Sequence, residues 1–379
     1  MKKLILIMVM VFVVFSPELV MADSGSNNVN YTEAESLYDY MTTIKDKYEI
    51  TKDIDIKDYI KECIKTGGGN ISFSTISKAI VSYAFSEVQA CVKILVSIII
   101  ISVICALLTN LQRAFSKDNL SNIAYFACYA VIIILVSKSF YIGVSEVKNT
   151  IQGTINFMGA LMPVLLILMA SGGRLIESAA LDPIIISAIN IAAVLYIDVI
   201  IPLILVNFIL QLVNNISEEY KIDKLAKLIF QIVMWIQGIT MTVFIAIVTI
   251  RGVSTRALDE VTAKTAKFAV DSFIPIVGKS LSDAISTVVG YSVLLKNAVS
   301  TLGLIFLIAI VIFPIIKVML LGFMHKITAA LVQPISDKRI VNCVTAAGDT
   351  LIILGSCLIS LSVMFFIIIS IIASTTAVN

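Results

Sequence analysis

Two charged residues stand where a hydrocarbon environment would make them costly. Asp198 lies in Tyr196-Ile197-Asp198-Val199, four residues before Pro202, and Lys317 lies three residues after Pro314. A bare charge at the centre of a bilayer costs about 3 kcal/mol on insertion scales, so an intramembrane carboxylate or ammonium is a functional candidate by default. The chemistry open to such groups is ion or proton binding, or pairing with each other if their helices run parallel and bring them to one depth. The alternative is bland: Lys317 snorkels to an interface, and a neighbouring helix hydrogen-bonds Asp198. A third candidate is the stretch Asp271–Asn297, which places Pro275, Gly278, Lys279, Asp283, Gly290 and Lys296 among apolar residues at helical spacing. Polar, irregular backbone at membrane depth is tolerated only when buried in protein or lining a wet cavity. The stretch is therefore read as lining or gating a pathway.

Composition sets the frame for these residues. Of 379 residues, 59% are hydrophobic and 14% charged, with a mean hydropathy of +1.00. Soluble domains carry about 25% charged residues, so the chain is an integral membrane protein. Lys and Arg are scattered and not striped, which argues against nucleic-acid binding. Six cysteines without a CxxC pair and a single histidine, His325, give neither a disulfide framework nor a metal site. Gly278-Lys279-Ser280 lacks the earlier glycine and the preceding strand of a phosphate-binding loop, because Phe273 stands in the glycine's place. HExxH and GxSxG are absent, and Tyr196-Ile197-Asp198 with Gly348-Asp349 lacks aspartyl-protease spacing. The sequence points to no enzyme and to no cofactor.

The elements that must position these residues are helices. Residues 1–22 read as a signal peptide, with Lys2 and Lys3, an apolar Leu4–Phe15 core and Val20-Met21-Ala22 before cleavage. Residues 23–90 read as an extracytoplasmic helical arm. A capping box at Thr32-x-x-Glu35 is followed by Leu37, Met41 and Ile44 on one face, then come a short helix with Ile56 and Ile60 and an amphipathic helix with Ile76 and Ile80. About seven transmembrane helices follow, over 92–111, 122–142, 157–171, 183–213, 228–250, 298–323 and 351–373. The first two make a hairpin within 91–154. Positive-inside bookkeeping puts Arg113, Lys117, Arg174, Arg251 and Arg256 in the cytoplasm. The polar connector Ser336-Asp337-Lys338-Arg339 reads as a solvated loop.

Proline spacing suggests an internal repeat. Pro163 and Pro202 are 39 residues apart, as are Pro275 and Pro314. Overlaying them aligns a unit over 155–250 with one over 251–379, inverted if each has an odd number of crossings. Coincidence is the competing explanation, since apolar sequences align readily. On the repeat reading, the third apolar segment and Asp271–Asn297 are re-entrant hairpins or broken helices, with Pro163, Pro202 and Pro314 as hinges. The fold expected is an all-α polytopic membrane protein with re-entrant or amphipathic segments. A free-standing permease with Asp198 as its ion site is the functional alternative at this stage.

The stretch Asp271-Ser272-Phe273-Ile274-Pro275-Ile276-Val277-Gly278-Lys279-Ser280-Leu281-Ser282-Asp283-Ala284, with Leu294–Ala298 and Gln333-Pro334-Ile335-Ser336-Asp337-Lys338-Arg339, resembles the stage III sporulation protein AE family of endospore-forming Firmicutes. Pro163 with Gly172-Gly173 also fits. The resemblance runs over essentially the whole chain and is strongest from about Phe157 onwards. It implies a polytopic subunit of a mother-cell membrane complex that meets a forespore protein and resembles a specialised secretion or feeding channel. It also implies partners: other stage III membrane proteins, including a secretion-type ATPase and ring-forming subunits. It carries over no catalytic residue.

Overall fold

The computed structural model describes residues 29–47, 51, 55–66, 73–115, 119–215, 222–247 and 278–374. Among these residues there is no strand. Nine α-helices follow in order: α1 (Val29–Lys47), α2 (Ile56–Thr66), α3 (Phe73–Phe115), α4 (Asn119–Ser171), α5 (Leu175–Val194), α6 (Ile201–Asn214), α7 (Asp223–Ile247), α8 (Gly278–Val332) and α9 (Lys338–Ala373). A π-helical turn, Leu195–Ile200, joins α5 to α6. Six helical stretches are long and apolar enough to cross a membrane. The all-α polytopic architecture expected from the sequence holds. The signal-peptide residues 1–22, the 271–277 stretch with Pro275, and Arg251 and Arg256 lie outside the described residues.

The second and third expected spans are one helix. Residues 145–156, SEVKNTIQGTIN, look like a loop by polarity, yet α4 runs through them without a break. Its inward stripe never lapses: Val144, Val147, Ile151, Phe157, Met158, Leu161, Met162 and Leu165 are all buried at helical spacing. Thr150 and Thr154 turn their hydroxyls back onto the carbonyls of Glu146 and Thr150, each at 2.7 Å, so these polar side chains also satisfy the helix. Consequently Arg113 and Arg174, expected on one side of the membrane, belong to opposite ends of the bundle. The expected hairpin boundary at residue 154 falls inside α4. Helix α4 ends in a Schellman turn: Arg174 N–H reaches Met169 O at 3.2 Å, Gly173 N–H reaches Ala170 O at 3.0 Å, and Gly173 takes φ +86°.

No re-entrant turn interrupts the described part of Asp271–Asn297. Residues 278–297 are the opening turns of α8, a 55-residue helix continuous past Pro314. Pro163 likewise sits inside unbroken α4. The two proposed repeat units therefore differ in build: the turn at Gly172-Gly173 has no counterpart inside α8. Their orientation differs from the inverted expectation too. Tyr129 of α4 donates to Leu212 O at 3.0 Å while Ser178 donates to Leu166 O at 2.8 Å, so α5–α6 runs antiparallel to α4. Helix α8 also runs antiparallel to α4, with Leu161 against Gly303 and Glu146 against Lys317. Helices α6 and α8 are thus parallel.

The core is α4, α8 and α9, with α3 on one flank against α4 and α8, and α5–α6 against α4 and α9. The α8–α9 hairpin turns at Gln333-Pro334. Asp337, expected in a solvated loop, caps α9 instead, accepting from Arg339 N–H at 2.8 Å and from its guanidinium Nε at 3.1 Å. The hairpin arms touch backbone to backbone, since a Cβ on Gly348 would lie 2.8 Å from Gly322 O. Small residues at a crossing are the usual means of close approach where lipid offers no hydrophobic drive.

Length decides how this bundle meets a bilayer. The apolar stretches 127–171 and 289–332 are 45 and 44 residues long, about 68 and 66 Å at 1.5 Å per residue. The hydrocarbon layer is about 30 Å thick. One end of the bundle must stand out of the lipid. Exposure identifies it: α3 presents Val92, Val96, Ile100 and Ile104, and α4 presents Val131 and Ile134. The other half of α4 exposes Lys148, Asn149, Gln152 and Asn156, and α8 exposes Thr287, Asn297 and Thr301 beside Tyr291 and Leu294. On that polar half sits α1, burying Leu37, Met41 and Ile44, with Tyr40 donating to Gly153 O at 3.0 Å and stacking on Phe157 at 6.2 Å. Helix α1 starts at Val29, so Thr32 is a turn inside it and is not its cap.

Replacing Gly348 with Ala should overpack the α8–α9 crossing and cost about 1–3 kcal/mol. A lowered melting temperature in detergent would register it, whereas Gly238→Ala, with no atom within 4 Å of the new Cβ, should cause no loss.

Candidate functional site

Polar groups gather at one height of the bundle. The Lys317 ammonium lies 2.9 Å from a Glu146 carboxylate oxygen, both side chains 29% exposed. Tyr83 of α3 meets Phe313 of α8 edge-on at 4.6 Å, which brings Glu87, one turn further along α3, to the height of Lys317. The register of α4 against α5–α6 puts Asp198 level with the Gly143–Glu146 turn. Four helices therefore bring charge to one layer, but not in the pairing the sequence allowed. Lys317 pairs with Glu146, and Asp198 points outward from the π turn as an exposed residue. Parallel helices gave the two residues one depth; helical phase put them on different faces. Glu146 escaped the sequence reading because it lies in the polar interruption of α4. Its signal was there: it sits on the stripe that continues Val147 and Ile151.

Pro202 explains the backbone at Asp198. A proline ring collides with the carbonyl four residues earlier and removes a donor; here that carbonyl belongs to Asp198. The chain widens to a π turn, with Ile201 N–H reaching Tyr196 O. Of the three candidate hinges, this one alone widens the helix to a π turn.

Lys296 is the most deeply buried charge among the candidates, at 1% exposure. Its ammonium lies 3.4 Å from the carbonyl oxygen of Ala373, the last residue of α9. A helix C-terminus carries orphan carbonyls and partial negative charge, so a cation is favoured there. Gly172 at the end of α4 abuts Val293 one turn away. Lys296 thus ties the projecting ends of α8 and α9 together, next to the end of α4. Gly278, Lys279 and Asp283 fall on the first two turns of α8.

A second polar lock was not anticipated. Gln237 is buried and donates to Ser360 Oγ at 2.6 Å and Ser356 O at 3.0 Å. It fastens to α9 a helix, α7, that is otherwise largely exposed, including Trp235 at 71%. Among the described residues no three His, Cys, Asp or Glu side chains come together in a metal-binding arrangement. The geometry is that of a membrane bundle pinned by polar contacts.

Residues 54–376 match the family model of stage III sporulation protein AE. The chain belongs to that family. It is 36% identical over 306 residues to stage III sporulation protein AE of Bacillus subtilis (strain 168), a match covering 80% of this chain and 77% of that protein. No solved structure matches. The family match takes in α2 through α9 and leaves α1 outside it. Membership gives the chain a sporulation role, and the six apolar helices make it a multi-pass membrane protein.

A double-mutant cycle on Glu146→Gln and Lys317→Gln should show each single change lowering stability in detergent. The double change should cost less than the sum, by a coupling of about 0.5–3 kcal/mol. Additive costs would mean that the pair contributes nothing.

Proposed function

We propose that this protein is a membrane subunit of a transport or secretion channel linking mother cell and forespore, required for late spore development. It sits in the mother-cell membrane with the N-terminal arm outside the cytoplasm. Family membership carries the reading. Two features of the fold support it: half of the bundle stands clear of the lipid with the arm docked on it, and charged groups share one layer at the membrane end of that half. In this reading the protein performs no catalysis. It holds its place among other stage III membrane proteins, a secretion-type ATPase and ring-forming subunits, and the Pro275–Lys296 region lines or gates the pathway at the projecting end.

The permease reading needs Asp198 inside a cavity of the chain's own bundle. Asp198 lies on the outer face, which favours the complex.

A tagged copy recovered from its sporulating host in mild detergent should bring other sporulation membrane proteins and an ATPase with it. Replacing Pro275, Gly278 or Lys279 should block spore maturation while the protein remains inserted. Recovery of the protein alone, with normal spores from all three variants, would overturn the proposal.

A further inference from the structure

Asp198 sits in an apolar face of this bundle, not in its interior. Ile191 and Val194 on one side of it, and Leu205, Val206 and Ile209 on the other, are all 39–54% exposed. These side chains form an exposed apolar patch at the height where the projecting half of the bundle meets the lipid, the kind of surface that marks a protein contact, and the carboxylate stands inside it. Among the described residues Asp198 has no ion-pair partner.

The opposite flank carries the complement. Helix α3 exposes Val81, Phe85, Val92, Val96, Ile100 and Ile104, interspersed with Ser82, Ser86, Gln89 and Ser97, and on that face Lys93 is exposed and likewise unpaired among the described residues. Its height is fixed from inside the bundle: Tyr83 of α3 meets Phe313 of α8 edge-on at 4.6 Å, one turn before Lys317, which pairs with Glu146. Lys93 and Asp198 therefore lie within about one helical turn of the same depth, about 5 Å. Two copies inserted in the same sense are related by rotation about the membrane normal, and such a rotation preserves depth. A charge on one copy can meet only a charge at its own height on the next. Lys138, exposed on α4, lies about two turns lower. Lys148 has the right height but stands in a polar row with Asn149, Gln152 and Asn156, with no apolar patch of its own to pack on a second copy.

We propose that the chain associates with a second copy of itself within the membrane, the Asp198 face of α5–α6 packing on the Lys93 face of α3 with these two side chains paired. The two faces lie on opposite flanks, because α3 packs on α4 and α8 whereas α5–α6 packs on α4 and α9. The contact is thus head-to-tail, which closes into a ring or extends according to the rotation per subunit. This inference does not rest on the channel reading.

The test uses the full chain, expressed in membranes as two differently tagged copies and extracted in mild detergent. The wild type should recover one tag with the other. Asp198→Lys in both copies, or Lys93→Asp in both, should cut that recovery at least ~tenfold, as a 1.4 kcal/mol loss would. Combining Asp198→Lys with Lys93→Asp should restore it, which also shows that the single variants fold. Lys148→Asp should leave recovery unchanged. A monomeric wild type, single reversals without effect, no rescue in the double variant, or disruption by Lys148→Asp in place of Lys93→Asp would each overturn the proposal.

Discussion

A polar group taken out of water must find a partner of its own, and this bundle is held in register by the places where it does. Glu146 against Lys317 sets α4 against α8. Tyr129 against Leu212 and Ser178 against Leu166 set α4 against α5–α6. Gln237 against Ser356 and Ser360 sets α7 against α9. Apolar packing alone would not choose among sliding registers, since one Leu or Ile row resembles the next. Each polar contact lifts that degeneracy, because a slip of one turn would leave its members unpaired in an apolar core. The Gly322–Gly348 crossing adds a steric register to the chemical ones.

The same accounting explains the height of the molecule. Helix α4 keeps a buried stripe from Tyr129 to Met169 and α8 from Lys296 to Val332, so neither is obliged to bend at the membrane surface. What changes along them is the outward face, apolar along one half and polar along the other. The arm helix α1 uses the polar half as its platform through Tyr40 and the Leu37–Met41–Ile44 stripe. Lys296 fastens the far end of this projection by bridging to the last carbonyl of α9.

Much of this was legible in the sequence. The apolar runs and the arm's inward face at Leu37, Met41 and Ile44 rest on local rules of period. Three features were not legible, each for a physical reason. The stretch 145–156 reads as a loop by average polarity, although its inward positions remain apolar or self-bonded. Pro163 and Pro314 read as breaks, yet long packed helices absorb a single missing hydrogen bond when their neighbours hold them. The pairing of Lys317 depends on helical phase between segments 171 residues apart, which no spacing rule reaches.

The claim that half the bundle lies beyond the lipid is open to direct measurement by cysteine accessibility in intact membranes. Gly159, exposed on α4 with no atom near its would-be Cβ, and Ile134, 65% exposed on the same helix, are the two sites to compare. Against the background of the unsubstituted protein, Gly159→Cys should react with a water-soluble maleimide added on the arm's side, while Ile134→Cys stays protected. Equal protection of both would place all of α4 in the hydrocarbon and contradict the account.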